Sequence, residues 1–372
     1  MKKTEPILEE NKDRFVLFPI KQNEMWELYK KLANNFWSAD KANFKQDIVD
    51  YKLLTDQEKE FIRFVITTLQ LRFNYDMNKL LMKFLHEVQY PEARCFYGFQ
   101  VMMTSIHSET YSLLSSTYIG KSAHLGTILN KVLESDAFKN KTVWLNKNFF
   151  EETSFSKRLV AYICIQRILY SSLFAGIMIF EGKDAKLKTG ADSEPKQEAK
   201  EDSKKKPLAD ATLQVENNAQ TKADEKADKK DIKKEEERKI MEVFRMLTDF
   251  IYTDEGLFTD FALTIYSQLE NKLTVDELKN IITEVVELEK NLMVLFQPYY
   301  TAIGIKTERL TGYSQYIADT IMQSLSGKFI YGELSNPINQ LKWNRSFIKI
   351  DSSKKPEEGK ENSKVIGFNA DF

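Results

Sequence analysis

The stretch LVAYICIQRILYSSLFAGIMIF, residues 159–180, constrains the fold of this chain more than any other. At about 1.5 Å of rise per residue, a helix of this length would cross a bilayer. Gln166 and Arg167 stand near its middle, however, and such groups are expensive in lipid. The helical text on either side is amphipathic and highly charged. A helix that is apolar all round, between helices that are apolar on one face only, belongs at the centre of a soluble bundle.

Helical signals dominate the remaining text. Residues 21–34, KQNEMWELYKKLAN, read as a short amphipathic helix. TDQE at Thr55 has the form of a capping box and opens a helix that runs toward Glu87. Another helix follows Pro91. Helices are also expected over 127–135, 156–181, 236–270 and 308–325. A second capping box, TVDE at Thr274, precedes a stripe of Leu278, Ile281, Ile282, Val285, Leu288 and Leu292 at helical spacing. The best strand signal, KFIYGEL at 328–334, is weak, and no repeat of fixed period is present. The pattern implies an all-α protein.

Two segments break this pattern. Residues 183–238 contain no Phe, Trp or Tyr and are rich in Lys, Asp, Glu and Ala. They cannot bury enough apolar surface to offset chain ordering, so a disordered charged insertion is expected. The polar run DSSKKPEEGKENSK leads to a terminal VIGFNADF. A polar linker ending in apolar residues reads either as a tethered docking peptide or as a frayed terminus.

Charge narrows the function classes. The 54 Lys and Arg balance 55 Asp and Glu, which argues against a general nucleic-acid binder. Two cysteines, Cys95 and Cys164, both in apolar helical text, exclude a disulfide scaffold and a Cys-rich zinc site. The first fifteen residues lack the apolar core of a secretion signal, so a cytoplasmic chain is expected.

The stretch FYGFQVMMTSIHSETYSLL, 96–114, places Thr104, His107 and Tyr111 on one helical face. A histidine there is either a metal ligand or a core histidine. Three residues before His86, His107 and His124 stand Lys83, Thr104 and Lys121, so E-x-x-H occurs nowhere in the chain.

RFVLFPI (14–20), MWELYKKLANNFW (25–37), EARCFYGFQ with IHSETYSLL (92–114), DEGLFTDFA (254–262) and the terminal NADF together resemble the class I ribonucleotide reductase small subunit. The resemblance implies a ferritin-like helical bundle over 21–182 and 239–345, after an N-terminal arm (1–20), with the insertion at 183–238 and a flexible tail over 346–372. It implies dimers, and a core in which four carboxylates and two histidines hold two irons that generate a tyrosyl radical. The radical starts nucleotide reduction in a separate large subunit, which grips the small subunit's C-terminal tail.

Carried over by position, the family's ligands fall on Phe73, Thr104, His107, Gln166, Glu255 and Phe258. Only His107 and Glu255 keep the family's residue. The radical tyrosine falls on Tyr111, and the radical-transfer tryptophan and its aspartate on Trp26 and Asp254. The family's tail tyrosine has no counterpart, because no tyrosine follows Tyr331. Neutral Phe73, Thr104 and Gln166 stand where three carboxylates would otherwise need metal or protons, and Phe73 and Phe258 can fill the vacated space.

These readings imply a chain that binds no diiron cofactor and pairs with a competent small subunit. It would dock on the large subunit through Ile366, Phe368, Asp371 and Phe372. No nucleic-acid or membrane partner is expected. His107 and Glu255 are expected to share a direct or water-bridged hydrogen bond, and Tyr111 to be buried with its hydroxyl satisfied. Three other readings stay open: an active subunit with a non-standard metal site, a ferritin-like binding module outside nucleotide reduction, and a regulator acting through 183–238.

Overall fold

In a computed structural model, the structure describes residues 4–10, 12–120, 123–180, 240–338 and 341. The expected insertion and tail, including Ile366, Phe368, Asp371 and Phe372, lie outside these residues. Twelve α-helices make up the described bundle: α1 (Asn23–Asn34), α2 (Lys45–Leu53), α3 (Asp56–Leu71), α4 (Asn78–Glu87), α5 (Pro91–Tyr118), α6 (Ala123–Leu133), α7 (Asp136–Leu145), α8 (Phe155–Arg167), α9 (Ser171–Ile179), α10 (Glu242–Gln268), α11 (Val275–Ala302) and α12 (Thr307–Ser326). A π-helical turn, Arg72–Met77, joins α3 to α4. Sequence periodicity did not announce α2 and α7, both short and rich in charge or polarity.

Local chemistry sets the helix ends. Both capping boxes form: the Glu58 amide donates to Thr55 Oγ1 at 3.2 Å, and the Thr55 amide donates to Glu58 Oε2 at 2.9 Å. Thr274 and Glu277 repeat the exchange at the start of α11. Pro91 occupies the first turn of α5, where its missing N–H costs nothing. Gly327, at φ 72°, ends α12. The N-terminal arm is pinned by Glu5, whose carboxylate accepts from the amides of Glu270 and Asn271 just beyond α10.

One apolar core runs through the bundle. The 155–179 segment is long and apolar enough to cross a membrane, but 94% of its most apolar window is buried by neighbouring helices. It packs against α10, α11 and α12. The expected single helix over 156–181 is instead two. Tyr170 adopts a left-handed backbone at φ 66°, which a non-glycine residue takes only at a cost.

The break is held from outside the segment. Glu289, on the otherwise apolar buried stripe of α11, accepts from the amides of Tyr170 at 2.6 Å and Ser172 at 2.9 Å. Burial pushes its carboxyl up to about 7, against the pull of these donors. Arg167, at the end of α8, lies 4.1 Å over the Tyr252 ring and donates to the Tyr252 carbonyl at 3.3 Å.

The weak strand signal at 328–334 forms no strand. The Ile330 and Tyr331 amides donate to Asp319 Oδ1 at 2.7 and 2.9 Å, so a side chain takes the place of a ladder partner.

Close packing makes one glycine indispensable. A Cβ on Gly176 of α9 would sit 2.8 Å from Tyr300 Cε1 and 3.2 Å from Phe61 Cζ, both on buried rings. Gly176→Ala is therefore expected to cost about 1–3 kcal/mol, despite its higher helix propensity. A urea unfolding midpoint equal to wild type would contradict this packing.

Candidate functional site

The site lies where α3 and its π-helical turn, α5, α8 and α10 meet. Each of its residues falls on an inward face: Arg72 and Phe73 from the turn, Thr104, His107 and Tyr111 from α5, Gln166 from α8, and Asp254, Glu255 and Phe258 from α10. All are buried.

Glu255 is the hub. Its Oε2 accepts from Arg72 Nη2 at 2.6 Å and from the Gln166 side-chain amide. Arg72 Nη2 also donates to the Gln166 backbone carbonyl at 3.0 Å. Burial by itself would raise the Glu255 carboxyl, but the Arg72 guanidinium, helped by His107, holds it below the ordinary value.

Of the direct or water-bridged hydrogen bond expected between His107 and Glu255, the direct form is absent, although the two side chains are neighbours. His107 Nδ1 stands 3.7 Å from Glu255 Oε1, too far for a direct bond, and has no hydrogen-bond partner among the described residues. The hydrogen bond runs instead from Nε2 to Asp254 Oδ2, at 3.0 Å. Arg72 and Gln166 both hold Glu255 Oε2, and Oε1 is the oxygen that faces His107. Burial depresses the imidazole's basicity, and the two carboxylates more than reverse this, so its pKa is raised.

Asp254 accepts a second bond, from Trp37 Nε1 at 2.9 Å. This corrects the assignment of Trp26 as the aspartate's tryptophan partner. Trp26 packs against Phe18 and Tyr29, with Lys30 over its ring. Trp37 lies in the connection after α1 and stacks on His107 at 5.9 Å, with planes 17° apart. Both tryptophans occur in the matching text, and only the chain path after α1 chooses between them.

The remaining positions are filled by neutral side chains. Phe73 stacks on Tyr111 at 5.5 Å and sets its edge against His107 at 5.4 Å. Phe258 packs against His107 at 5.9 Å. Thr104 turns its hydroxyl back to the Gln100 carbonyl at 2.9 Å, within its own helix. Tyr111 is fully buried, but its hydroxyl has no hydrogen-bond partner among the described residues, contrary to expectation. Burial pushes the phenol well above its ordinary value, with the Arg72 charge and the nearby Thr248 hydroxyl only partly opposing.

Arg72 is the residue that sequence reasoning missed. A signal was present. Phe61, Val65, Thr68 and Arg72 fall at successive helical spacings, so the arginine stands on the apolar face of its helix.

The donor set does not fit a pair of iron ions. One imidazole nitrogen and one side of a carboxylate face the centre, and a guanidinium occupies the carboxylate's other side. Among the described residues no group of three or more His, Cys, Asp or Glu side chains is placed to hold a metal ion. Two such ligands hold transition metals poorly.

Comparison with known proteins gives a consistent assignment. The family model described as "Ribonucleotide reductase, small chain" matches residues 14–193 and 233–337. A ribonucleoside-diphosphate reductase small subunit of Dictyostelium discoideum is 31% identical over 334 residues, covering 90% of this chain and 82% of the relative. A small chain of Plasmodium falciparum is 30% identical over 335 residues, covering 90% and 80%. The Rnr4 homodimer of Saccharomyces cerevisiae superposes with a TM-score of 0.67 at 25% identity, covering 90% of this chain and 88% of that one. A putative class I ribonucleotide reductase of Bacillus halodurans, at 15% identity and a TM-score of 0.64, shares the fold over 91% and 95% of the two chains.

Proposed function

We propose, from the premise that this chain belongs to the ribonucleotide reductase small-chain family, that it is a metal-free small subunit acting through its partners. It pairs with a competent small subunit, supports that subunit's assembly of the diiron-tyrosyl radical, and reaches the large subunit through its C-terminal tail. This is work in the cytoplasm, in the supply of deoxyribonucleotides.

The observation that carries the reading is the Arg72–Glu255 ion pair. A retained family ligand is spent on a guanidinium instead of a metal. Four other ligand positions bear Phe73, Thr104, Gln166 and Phe258, none of which supplies the charge of a carboxylate or the nitrogen of an imidazole. Pairing draws support from the solved Rnr4 homodimer, which has the same fold over most of both chains.

The test loads Fe(II) anaerobically and then admits oxygen. This chain alone is expected to retain no stoichiometric iron and to give no tyrosyl radical signal. Mixed with a competent small subunit, it is expected to form a heterodimer and to raise that subunit's radical yield. About two irons per chain with a radical, in this chain alone, would overturn the reading. So would a mixture in which the two chains stay apart and the yield is unchanged.

A further inference from the structure

We propose that Arg72 is a built-in cation that takes the place of metal in this chain, its guanidinium supplying the positive charge that the buried Glu255 carboxylate requires. This rests on the reading of the chain as a metal-free subunit and assigns the regulation of that same site.

Lost ligands alone would leave a different centre. Removing metal from a carboxylate in an apolar interior leaves a charge that must be protonated, hydrated or paired. Here it is paired. Arg72 is fully buried and reaches Glu255 at 2.6 Å, and the same nitrogen donates to the Gln166 carbonyl at 3.0 Å.

The guanidinium is also fitted by shape. Its carbon lies 4.9 Å from the centre of the Phe73 ring, 5.6 Å from Phe174 and 6.0 Å from Tyr170. Aromatic walls suit a planar, weakly hydrated cation better than a compact ammonium or a hydrated metal ion. The residue at the family's first aspartate position, Phe73, forms one of those walls. The substitution that removes a metal ligand therefore also builds part of the guanidinium's seat.

An arginine keeps its charge at every pH a protein experiences. A metal entering this centre would have to displace a permanent cation from the carboxylate it needs. The Glu255 charge is paired without metal, so folding of the chain need not wait for iron.

The test uses the full chain and reads stability, with methylguanidinium as the probe. Arg72→Ala leaves Glu255 buried without its cation and is expected to lower Tm by about 5–10 °C. Millimolar methylguanidinium, far below denaturing concentrations, is expected to restore part of that loss in Arg72→Ala. Wild type is not expected to respond, nor is Arg72→Ala combined with Glu255→Gln.

A second variant covers the case in which Arg72→Ala does not fold. Arg72→Met with Glu255→Gln removes both charges at similar volume and is expected to unfold within a few degrees of wild type. Four results would overturn the proposal: Arg72→Ala as stable as wild type, Arg72→Ala not rescued by methylguanidinium, rescue that persists without the Glu255 charge, or a neutral pair as unstable as Arg72→Ala. The wider reading fails on a separate result, iron and radical in the wild-type chain. A metal-free wild type with an unrescued Arg72→Ala removes this inference and leaves that reading standing.

Discussion

Glu255→Ala is expected to destabilise the chain by about 3–5 kcal/mol, the usual cost of removing one partner from a buried ion pair. The argument turns on what is left behind. Arg72 has no exposure and cannot lose its proton. Its remaining strong acceptor is the Gln166 backbone carbonyl, at 3.0 Å. The Gln166 amide would lose its acceptor as well, and His107 one of its two neighbouring carboxylates. Glu255→Gln keeps the volume and one acceptor oxygen, so it should cost less than the alanine variant. Urea unfolding measures both. A Glu255→Ala variant within about 1 kcal/mol of wild type would mean that Arg72 finds another partner or leaves the core, and that the pair does not hold the centre together.

Phe73→Ala is the second large expectation, also about 3–5 kcal/mol. The ring has no exposure and is in contact on three sides: stacked on Tyr111, edge-on to His107, and beneath the Arg72 guanidinium at 4.9 Å. Deleting it opens a cavity and also removes an aromatic face from a desolvated cation, an interaction of about 2 kcal/mol in such settings. Phe73→Leu restores most of the volume without the aromatic face and should fall between wild type and alanine. Phe258→Ala should combine with Phe73→Ala non-additively, because both rings pack on His107. Strict additivity of the two in unfolding free energy would show that the rings support separate parts of the core.

The two variants probe different physics at one place. Glu255→Ala tests the charge balance of the centre, and Phe73→Ala tests the aromatic packing around it. If both effects have the expected size, the centre is held together by its own charge pairing and packing.

Much of this was legible in the chain itself. The all-helical class follows from periodicity and from the scarcity of strand signals. The two capping boxes form where T-x-x-E precedes an apolar stripe, because that motif satisfies its own donors locally. The burial of the apolar 155–179 segment could be read from composition, since no other placement covers its surface in a soluble bundle. Thr104, His107 and Tyr111 share a face because helix geometry requires it, and the absence of any E-x-x-H is a fact of the text.

What escaped the sequence was pairing between distant elements. Local pattern cannot say that Glu289 on α11 holds open the break before α9, because the amides it accepts lie 119 and 117 residues earlier. Nor can it say that Trp37 rather than Trp26 meets Asp254, 217 residues away. The His107 and Glu255 side chains are neighbours, as the resemblance implied, but each finds a better partner: Asp254 for the imidazole and Arg72 for the carboxylate.

The sequence by itself determined that the chain is helical, which face of each helix is apolar, and that no E-x-x-H motif is present. Only the tertiary structure decided how the buried charges are paired. Helix propensity and periodicity are properties of residues a few positions apart, whereas the partner of a buried charge depends on which helices converge. At this convergence Arg72, 183 residues before Glu255 in the chain, supplies the cation.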